Sequence, residues 1–241
     1  MPGKNFIALL TLLLLIPING WANDRKWQDS AEFSLVNTTG NTDILSLAAK
    51  NIFIYNFTKR LIGSWQADIL YAEDQSVKTA EAYATELRLD YLFTEQLYGF
   101  GVFGWARNIF VGTQNLYYVG PGLGYKFLLG PKHFLIGEAG LLYSMEEDTA
   151  QIDDSYLSGR VFAEYAYAFR ENNRFSQSVE FSYDFSNSNN YSVVTETALT
   201  FLLSTHLAFK TSYIISYAHE PANATLENTD TLLAVSLIFS F

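Results

Sequence analysis

The chain has no cysteine, and among its 241 residues it has only five prolines, three histidines and two methionines. The missing cysteine excludes a disulfide framework, a thiolate metal site and a cysteine nucleophile. Positive charge is also scarce, because 15 Lys and Arg stand against 25 Asp and Glu. This acidity argues against nucleic acid as a partner. No pattern of residues implies a cofactor, and none is expected.

The sequence has one long apolar run, and it lies at the start. Lys4 provides a short positive region, and the apolar residues 6–18 follow. This run is shorter than the roughly 20 residues of a transmembrane helix, although a retained anchor is the alternative. Small residues precede a plausible cleavage point after Ala22. We therefore expect an export signal at 1–22 and a single domain at 23–241.

Aromatic side chains are abundant, with 19 Phe, 16 Tyr and 4 Trp. Outside the leader, apolar and polar residues alternate with a period of two, which is typical of a strand whose two faces differ. In residues 175–185 the odd positions are mostly aromatic or apolar, and the even positions are Ser, Glu or Asp. The chain ends in the same pattern, on Phe241. The pattern predicts an all-β fold.

Counting these segments predicts about twelve strands, with ten or fourteen as alternatives. Most are long enough for a tilted membrane span of about 9–11 residues. Their predicted bounds are 27–37, 43–57, 61–72, 79–92, 97–108, 115–127, 133–145, 154–169, 174–186, 191–202, 205–218 and 229–241.

The connections between these strands alternate between two classes. Tight turns are predicted at 58–60, 94–96, 128–132, 170–173 and 203–204, and longer polar loops at 38–42, 73–78, 109–114, 146–153, 186–190 and 219–228. This asymmetry is expected of an antiparallel up-and-down barrel in an outer membrane, with both termini on the periplasmic side. A β-sandwich is the alternative, because it also alternates.

Aromatic residues near strand ends favour the barrel, since they suit the two interfacial girdles of a membrane barrel. They include Tyr55 and Phe57, Tyr91 and Phe93, Tyr117 and Tyr118, Tyr165 and Tyr167, and Phe239 and Phe241. A terminal aromatic on the last strand resembles the signal by which bacterial barrels are recognised for insertion. We therefore expect Phe241 to be recognised by the barrel assembly machinery.

The polar faces of the strands then form the lumen, with ten acids and six bases. These charges can form a structural cross-strand network, or they can line a narrow hydrated pore that prefers cations. The predicted lumen-lining charges are Glu32, Lys50, Asp68, Glu86, Arg88, Asp90, Arg107, Lys126, Glu138, Arg160, Glu164, Glu180, Asp184, Glu196, Lys210 and Asp230.

The stretch TTGNTDILSLAA at 38–49, together with GPGLGYKF at 120–127 and GEAGLLY at 137–143, resembles the salt-induced outer-membrane protein family of bacterial barrels. The resemblance implies a Gram-negative outer membrane and a link to salt or osmotic stress, and it implies no reaction. Its most specific part is the motif Gly40, Asn41, Thr42 and Asp43. Gly and Asn tolerate positive φ, so the motif is expected to form a hairpin turn.

Two alternatives concern chemistry. A lipid hydrolase or acyltransferase at the extracellular rim would use His219 and Glu220 with Ser144, Ser155 or Ser216. The acidic residues Glu146, Glu147, Asp148, Asp153 and Asp154 form either a solvated loop or a Ca²⁺ or Mg²⁺ site that bridges to lipopolysaccharide. The pattern supports neither a catalytic nor a metal assignment. The expected partners are outer-membrane lipids, including lipopolysaccharide.

Overall fold

The computed structural model describes residues 26–38, 44–75, 77–110, 112–149, 153–170, 172–220 and 227–241. Within these residues the regular structure consists of twelve strands: β1 (Trp27–Thr38), β2 (Ile44–Asn56), β3 (Leu61–Asp74), β4 (Val77–Leu92), β5 (Leu97–Asn108), β6 (Thr113–Leu129), β7 (His133–Asp148), β8 (Asp153–Arg170), β9 (Asn173–Asp184), β10 (Tyr191–Leu202), β11 (Leu207–Ala218) and β12 (Thr229–Ser240). The predicted export signal at 1–22 and the turn motif Gly40, Asn41, Thr42 and Asp43 lie outside the described residues. In the part of the chain that is described, no helix is long and apolar enough to cross a membrane.

Every strand pairs antiparallel with its neighbours in sequence, and β12 pairs with β1, so the sheet closes into a barrel. This confirms the predicted all-β, twelve-stranded, up-and-down barrel. Both ends of the described chain, Lys26 and Phe241, lie at the end of the barrel that carries the connections 57–60, 93–96, 130–132, 171–172 and 203–206. We call this the turn end and the opposite one the loop end.

Three of the connections at the loop end are shorter than the sequence pattern predicts. Strand β3 runs to Asp74 and β4 begins at Val77, so only residues 75–76 connect them, and Gln75 has a φ of 49°. Strands β6 and β7 also extend past their predicted bounds. Backbone pairing continues there although the alternation of side chains has ended, because ladder hydrogen bonds do not require an apolar face.

Two connections at the turn end have the same design. In the segments FTKRL and FTEQL, the threonine Oγ1 accepts hydrogen bonds from the backbone N–H groups two and three residues further along the chain. For Thr58 these are the N–H groups of Arg60 and Leu61, at 3.1 and 2.9 Å. Thr94 accepts from Gln96 and Leu97 at 3.2 and 2.8 Å. The side chain therefore satisfies the donors that a tight turn leaves unpaired.

The outer surface of the barrel is apolar, and rings mark its borders. Tyr55 and Phe57 pack edge to face with ring centroids 4.9 Å apart, and Tyr91 and Phe93 do so at 5.4 Å. Exposed apolar residues between the girdles include Leu87, Leu89, Phe103, Val119, Leu123, Leu141, Val161, Val179, Leu199, Leu233, Val235 and Leu237. A surface of this composition is unfavourable in water and is suited to the hydrocarbon of a bilayer.

Inside the barrel, aromatic rings of β5 lie over glycines of β6. Tyr98 is the register partner of Gly124, and Phe100 is the partner of Gly122. A methyl group added to either glycine would lie 2.1 Å from the Cζ of the facing ring. The family motif GPGLGYKF at 120–127 thus supplies the space that these rings occupy, and the interior is filled on this side.

These contacts predict that Gly122→Ala destabilises the barrel, whereas Gly101→Ala does not. The new methyl group at Gly122 would overlap the Phe100 ring, and overpacking of this kind costs about 1–3 kcal/mol. The position of Gly101 has no atom within 4 Å of an added methyl group. The measurement is the temperature at which the folded band disappears in a heat-modifiability gel. Equal midpoints for both variants would contradict this account of the packing.

Candidate functional site

The barrel interior is the candidate site, because nearly all predicted lumen charges lie on its inner face. Arg88, Glu138, Glu164, Glu180 and Lys210 are buried. Others, such as Lys50, Asp68 and Glu86, are half-buried and alternate with buried neighbours. The residues that burial or alternation places inside are Glu32, Lys50, Asp68, Glu86, Arg88, Asp90, Lys126, Glu138, Arg160, Glu164, Glu180, Asp184, Glu196, Lys210 and Asp230.

Arg107 is the exception among these residues. It follows the fully buried Ala106 and is the register partner of Tyr83, so alternation places it on the outward face near the loop end. The ladder between β5 and β6 shifts register between Ala106 and Asn108. Arg107 nevertheless contributes to the lining of the interior cavity described below.

Tyr118 was expected in an aromatic girdle, and that expectation is wrong. It is 5% exposed and lies inside, over Gly104, and its hydroxyl donates a hydrogen bond of 3.0 Å to Oε2 of Glu86. Its neighbour Tyr117 is 43% exposed on the outer face. Two adjacent residues of one strand point to opposite faces, so the pair cannot share a girdle.

A chain of ion pairs fills the side of the interior formed by β4 to β9. Arg88 on β4 forms a fork with Glu138 on β7, with Nη2–Oε1 and Nη1–Oε2 distances of 2.7 and 3.1 Å. Its Nε and Nη2 also donate to Asp90, at 3.0 and 2.8 Å from Oδ1. Tyr98 donates to Oε1 of Glu138 at 2.7 Å. The contact between β4 and β7 passes across the glycines of β6.

The same chain continues from Glu138 to β8 and β9. Arg160 donates from Nη1 to Oε2 of Glu138 at 3.1 Å, and its Nη2 lies 2.7 Å from Oε2 of Glu180. The guanidinium groups also lie over aromatic rings. Cζ of Arg88 is 4.1 Å from the centroid of the Phe100 ring, and Cζ of Arg160 is 5.3 Å from the centroid of the Phe162 ring. Charges that are paired with opposite charges and stacked on aromatic rings in this way are tolerated inside a membrane-spanning barrel.

Sequence reasoning missed two of the buried charges in the described part of the chain. Arg174 is buried at the turn end, and its Nη2 lies 3.2 Å from Oε1 of Glu164. Glu146 is also buried, and it accepts hydrogen bonds from Thr113 and Tyr156 at 2.9 and 3.0 Å. Arg174 was missed because it begins a predicted strand, and Glu146 because it was placed in a loop. Both residues lie two positions from a buried residue on the same strand, Ser176 for Arg174 and Ser144 for Glu146. This spacing was the signal that could have placed them inside.

The side of the interior formed by β1 to β4 and β10 to β12 contains a cavity of about 660 Å³. It reaches the loop end at Phe110 and Asn228. It exists because the inward residues on these strands are mostly small. They include Ser34, Ala48, Ala80, Ala82, Ala84, Ser212, Ser216, Ala234 and Ser236.

An ion triad forms the floor of this cavity. Nζ of Lys210 lies 2.8 Å from Oε1 of Glu196 and 3.4 Å from Oε2 of Glu32. Lys210 is three residues from the start of β11 at the turn end. Closer to that end the interior holds buried side chains, including Ile52 and Ile238. The cavity therefore forms a vestibule that opens at the loop end and narrows at Lys210.

The groups considered for catalysis do not converge. The ring of His219 stacks on Tyr191 with centroids 4.6 Å apart, and its Nδ1 lies 3.0 Å from the Tyr217 hydroxyl. Glu220 accepts a hydrogen bond of 2.8 Å from Asn187. These contacts make His219 part of an aromatic girdle. None of these contacts joins His219 or Glu220 to a serine, as nucleophilic catalysis would require.

The acidic segment also divides between the faces of the barrel. Glu146 points inside, whereas Glu147 accepts a hydrogen bond of 2.8 Å from Asn115, which lies beside Trp105 on the outer face. Among the described residues no group of three or more His, Asp or Glu side chains is arranged to hold a metal ion.

The Arg88 fork predicts that Arg88→Met weakens the barrel strongly. Removing the guanidinium leaves Glu138 and Asp90 buried without their main partner, and breaking a buried pair in this way costs about 3–5 kcal/mol. Arg60→Met is the control, because Arg60 lies exposed in the turn 57–60. Urea unfolding from detergent micelles or vesicles measures both. A loss for Arg88→Met no larger than that for Arg60→Met would contradict the structural role of the network.

Solved structures with the same architecture are outer-membrane barrels. The translocator domain of the autotransporter NalP from Neisseria meningitidis matches with a TM-score of 0.60 and 10% identity, over 91% of this chain and 90% of that chain. An outer-membrane channel from Pseudomonas putida F1 matches with a TM-score of 0.56 and 9% identity, over 89% and 94%. The KdgM porin in complex with disordered oligogalacturonate matches with a TM-score of 0.51 and 11% identity, over 88% and 99%. At such identities the likeness shows the fold.

Sequence comparison gives a family. A search of curated proteins found no match. The family model described as "Protein of unknown function, DUF481" matches residues 31–241, which is most of the chain. The chain therefore belongs to the DUF481 family.

Proposed function

We propose that this protein is an integral outer-membrane channel with a narrow lumen, which admits small solutes or ions from the loop end. The observation that carries the proposal is the vestibule, which is about 660 Å³ in volume and extends from the loop end to the Lys210 triad. An apolar belt surrounds it, as a protein embedded in a bilayer requires. The proposal assigns the protein no reaction.

The distribution of charge supports a preference for cations. The charged residues in the described lining of the vestibule are five acids and three bases: Glu32, Asp68, Glu196, Glu227 and Asp230, and Lys50, Arg107 and Lys210. An acidic lining attracts cations and repels anions. On the other side of the interior, ion pairs and rings fill the space, so that side serves as a wall. In this proposal, the two predicted uses of the lumen charges, a structural network and a pore lining, belong to different sides of one barrel.

The comparisons support the same proposal. Two of the structures with similar folds are described as a channel and a porin, and a further porin, NanC, matches with a TM-score of 0.52 and 9% identity. These functions are those of the similar proteins. For this chain they support a channel as the function that its fold and its vestibule serve together.

The setting of the proposed channel rests on sequence. The leader at 1–22 supports export through a cleaved signal, and the resemblance to the salt-induced family supports a role under salt or osmotic stress. Lipids including lipopolysaccharide are the proposed surroundings. We propose Phe241 as the signal for the barrel assembly machinery; its backbone N–H donates to Asp29 at 2.9 Å, so it also extends the closing pair of strands.

Planar-bilayer recording tests the channel. We expect ohmic steps of small conductance with a preference for K⁺ over Cl⁻, and a stronger preference in Lys210→Met. This variant removes the ammonium group that neutralises Glu32 and Glu196, so the floor of the vestibule becomes negative. The measured quantity is the reversal potential in a salt gradient.

Lys78→Met is the matched control, since it also removes one positive charge. Lys78 is exposed at the loop end and pairs with Glu81 on its own strand. Its reversal potential should stay close to that of the unmodified protein. The absence of conductance in repeated insertions of heat-modifiable protein would contradict the channel, and equal shifts in the two variants would contradict the location of the selectivity.

A further inference from the structure

The seam that closes the barrel, between β1 and β12, is much shorter than the other seams. It has four register pairs, from Ser30↔Ser240 to Phe33↔Leu237. Strand β1 makes twelve pairs with β2 on its other side, and β12 makes eleven with β11. Hydrogen bonds between Asp29 and Phe241 add one more link at the turn end.

The short seam does not result from strands that end early. The register would place Ser34 opposite Ser236 and residue 38 opposite Leu232, and both strands continue over these residues. The strand assignment covers the backbone of residues 34–38 and 232–236, and there the two segments have no register pairs with each other. We call this interruption of the ladder the seam gap.

The seam gap lies at the depth of the hydrocarbon. The outward residues Leu233 and Val235 flank it, and they are 69% and 50% exposed. Leu233 has the largest exposed fraction among the large apolar residues of the described chain. Unpaired backbone groups cost several kcal/mol each in lipid, and they are tolerated where they line a water-filled cavity. Such a cavity is present on the inner side of the gap.

The vestibule reaches the seam gap from inside. Its wall includes Ser34 on β1 and Leu232, Ala234 and Ser236 on β12, which are the inward residues at the gap. The same compartment therefore touches the loop end and the part of the closing seam where register pairs are missing. Small apolar side chains such as Ala48 and Ala82 form much of its remaining wall.

We propose that the seam gap is a lateral opening, through which a single-chain amphiphile of the bilayer places its polar head in the vestibule while its hydrocarbon chain remains toward the lipid. The head is uncharged or cationic, because the described wall carries more carboxylates than ammonium groups and Lys210 is already paired with Glu196 and Glu32. The polar head of the amphiphile forms hydrogen bonds with the unpaired backbone groups, and its hydrocarbon chain covers the exposed Leu233. The inference rests on the proposed function, since it requires an embedded barrel with an open vestibule.

Disulfide trapping tests the opening, and the chain is suited to it because it has no native cysteine. Ser34→Cys with Ser236→Cys spans the gap, and Ser30→Cys with Ser240→Cys spans the closed part of the seam. The two pairs are matched: both join serines, and they lie four residues apart, so a continuous ladder would give them the same kind of antiparallel position.

We expect the 30/240 pair to oxidise in most molecules in vesicles. The 34/236 pair should oxidise with a yield at least about tenfold lower, because cysteines whose Cα atoms are more than about 7 Å apart cannot join without backbone movement. A longer bis-maleimide should join it. Equal oxidation of both pairs would overturn the lateral opening.

Protection of Ala234→Cys from a water-soluble maleimide tests the ligand. Submicellar dodecyltrimethylammonium should slow labelling in vesicles, whereas tetramethylammonium, which is the head without the chain, should not. Dodecanoate should protect less, because of the acidic wall. Equal protection by dodecanoate, or protection by the head alone, would overturn the ligand class. Neither measurement uses ion flux, so failure of the opening leaves the channel proposal standing, and absence of conductance leaves the opening standing.

Discussion

The closed hydrogen-bond ladder is the constraint on which the rest of this structure depends. In hydrocarbon, every backbone N–H and C=O needs a partner, so a sheet with an apolar exterior must return to its own first strand. Twelve antiparallel strands meet this requirement here. The closing pair, β1 and β12, meets it in the half of the seam nearer the turn end. Closure then creates an interior of limited width, and the inward side chains determine how that interior is used.

The interior is used in two ways. On one side, rings over glycines and the Arg88 to Glu180 chain of ion pairs occupy the space and tie distant strands together. On the other side, alanines and serines leave a vestibule whose charges meet at Lys210. Side-chain volume makes this division, because the backbone of a closed barrel is similar all around. The same volumes give the protein a rigid wall beside a space for a ligand.

Much of the fold was predictable from sequence because alternation is a local property. Residues 175–185 show both faces of a strand directly, and the structure reproduces those faces in β9. Alternation is a weaker guide where the ladder shifts, as it does beside Arg107. Position near a strand end does not identify a girdle, which explains Tyr118. The division of the interior into a filled and an open side was not predictable, because partners such as Arg88 and Glu138 lie 50 residues apart and meet only through the register of four strands.

The central claim is that one side of the interior is open to water and the other is filled, and thiol labelling tests it most directly. Ser216→Cys and Ser182→Cys each lie two residues from the loop end of their strands, the first in the vestibule wall and the second in the filled side. A charged methanethiosulfonate reagent should react quickly with Ser216→Cys and slowly with Ser182→Cys in folded protein. Equal rates at the two positions would contradict the division of the barrel interior.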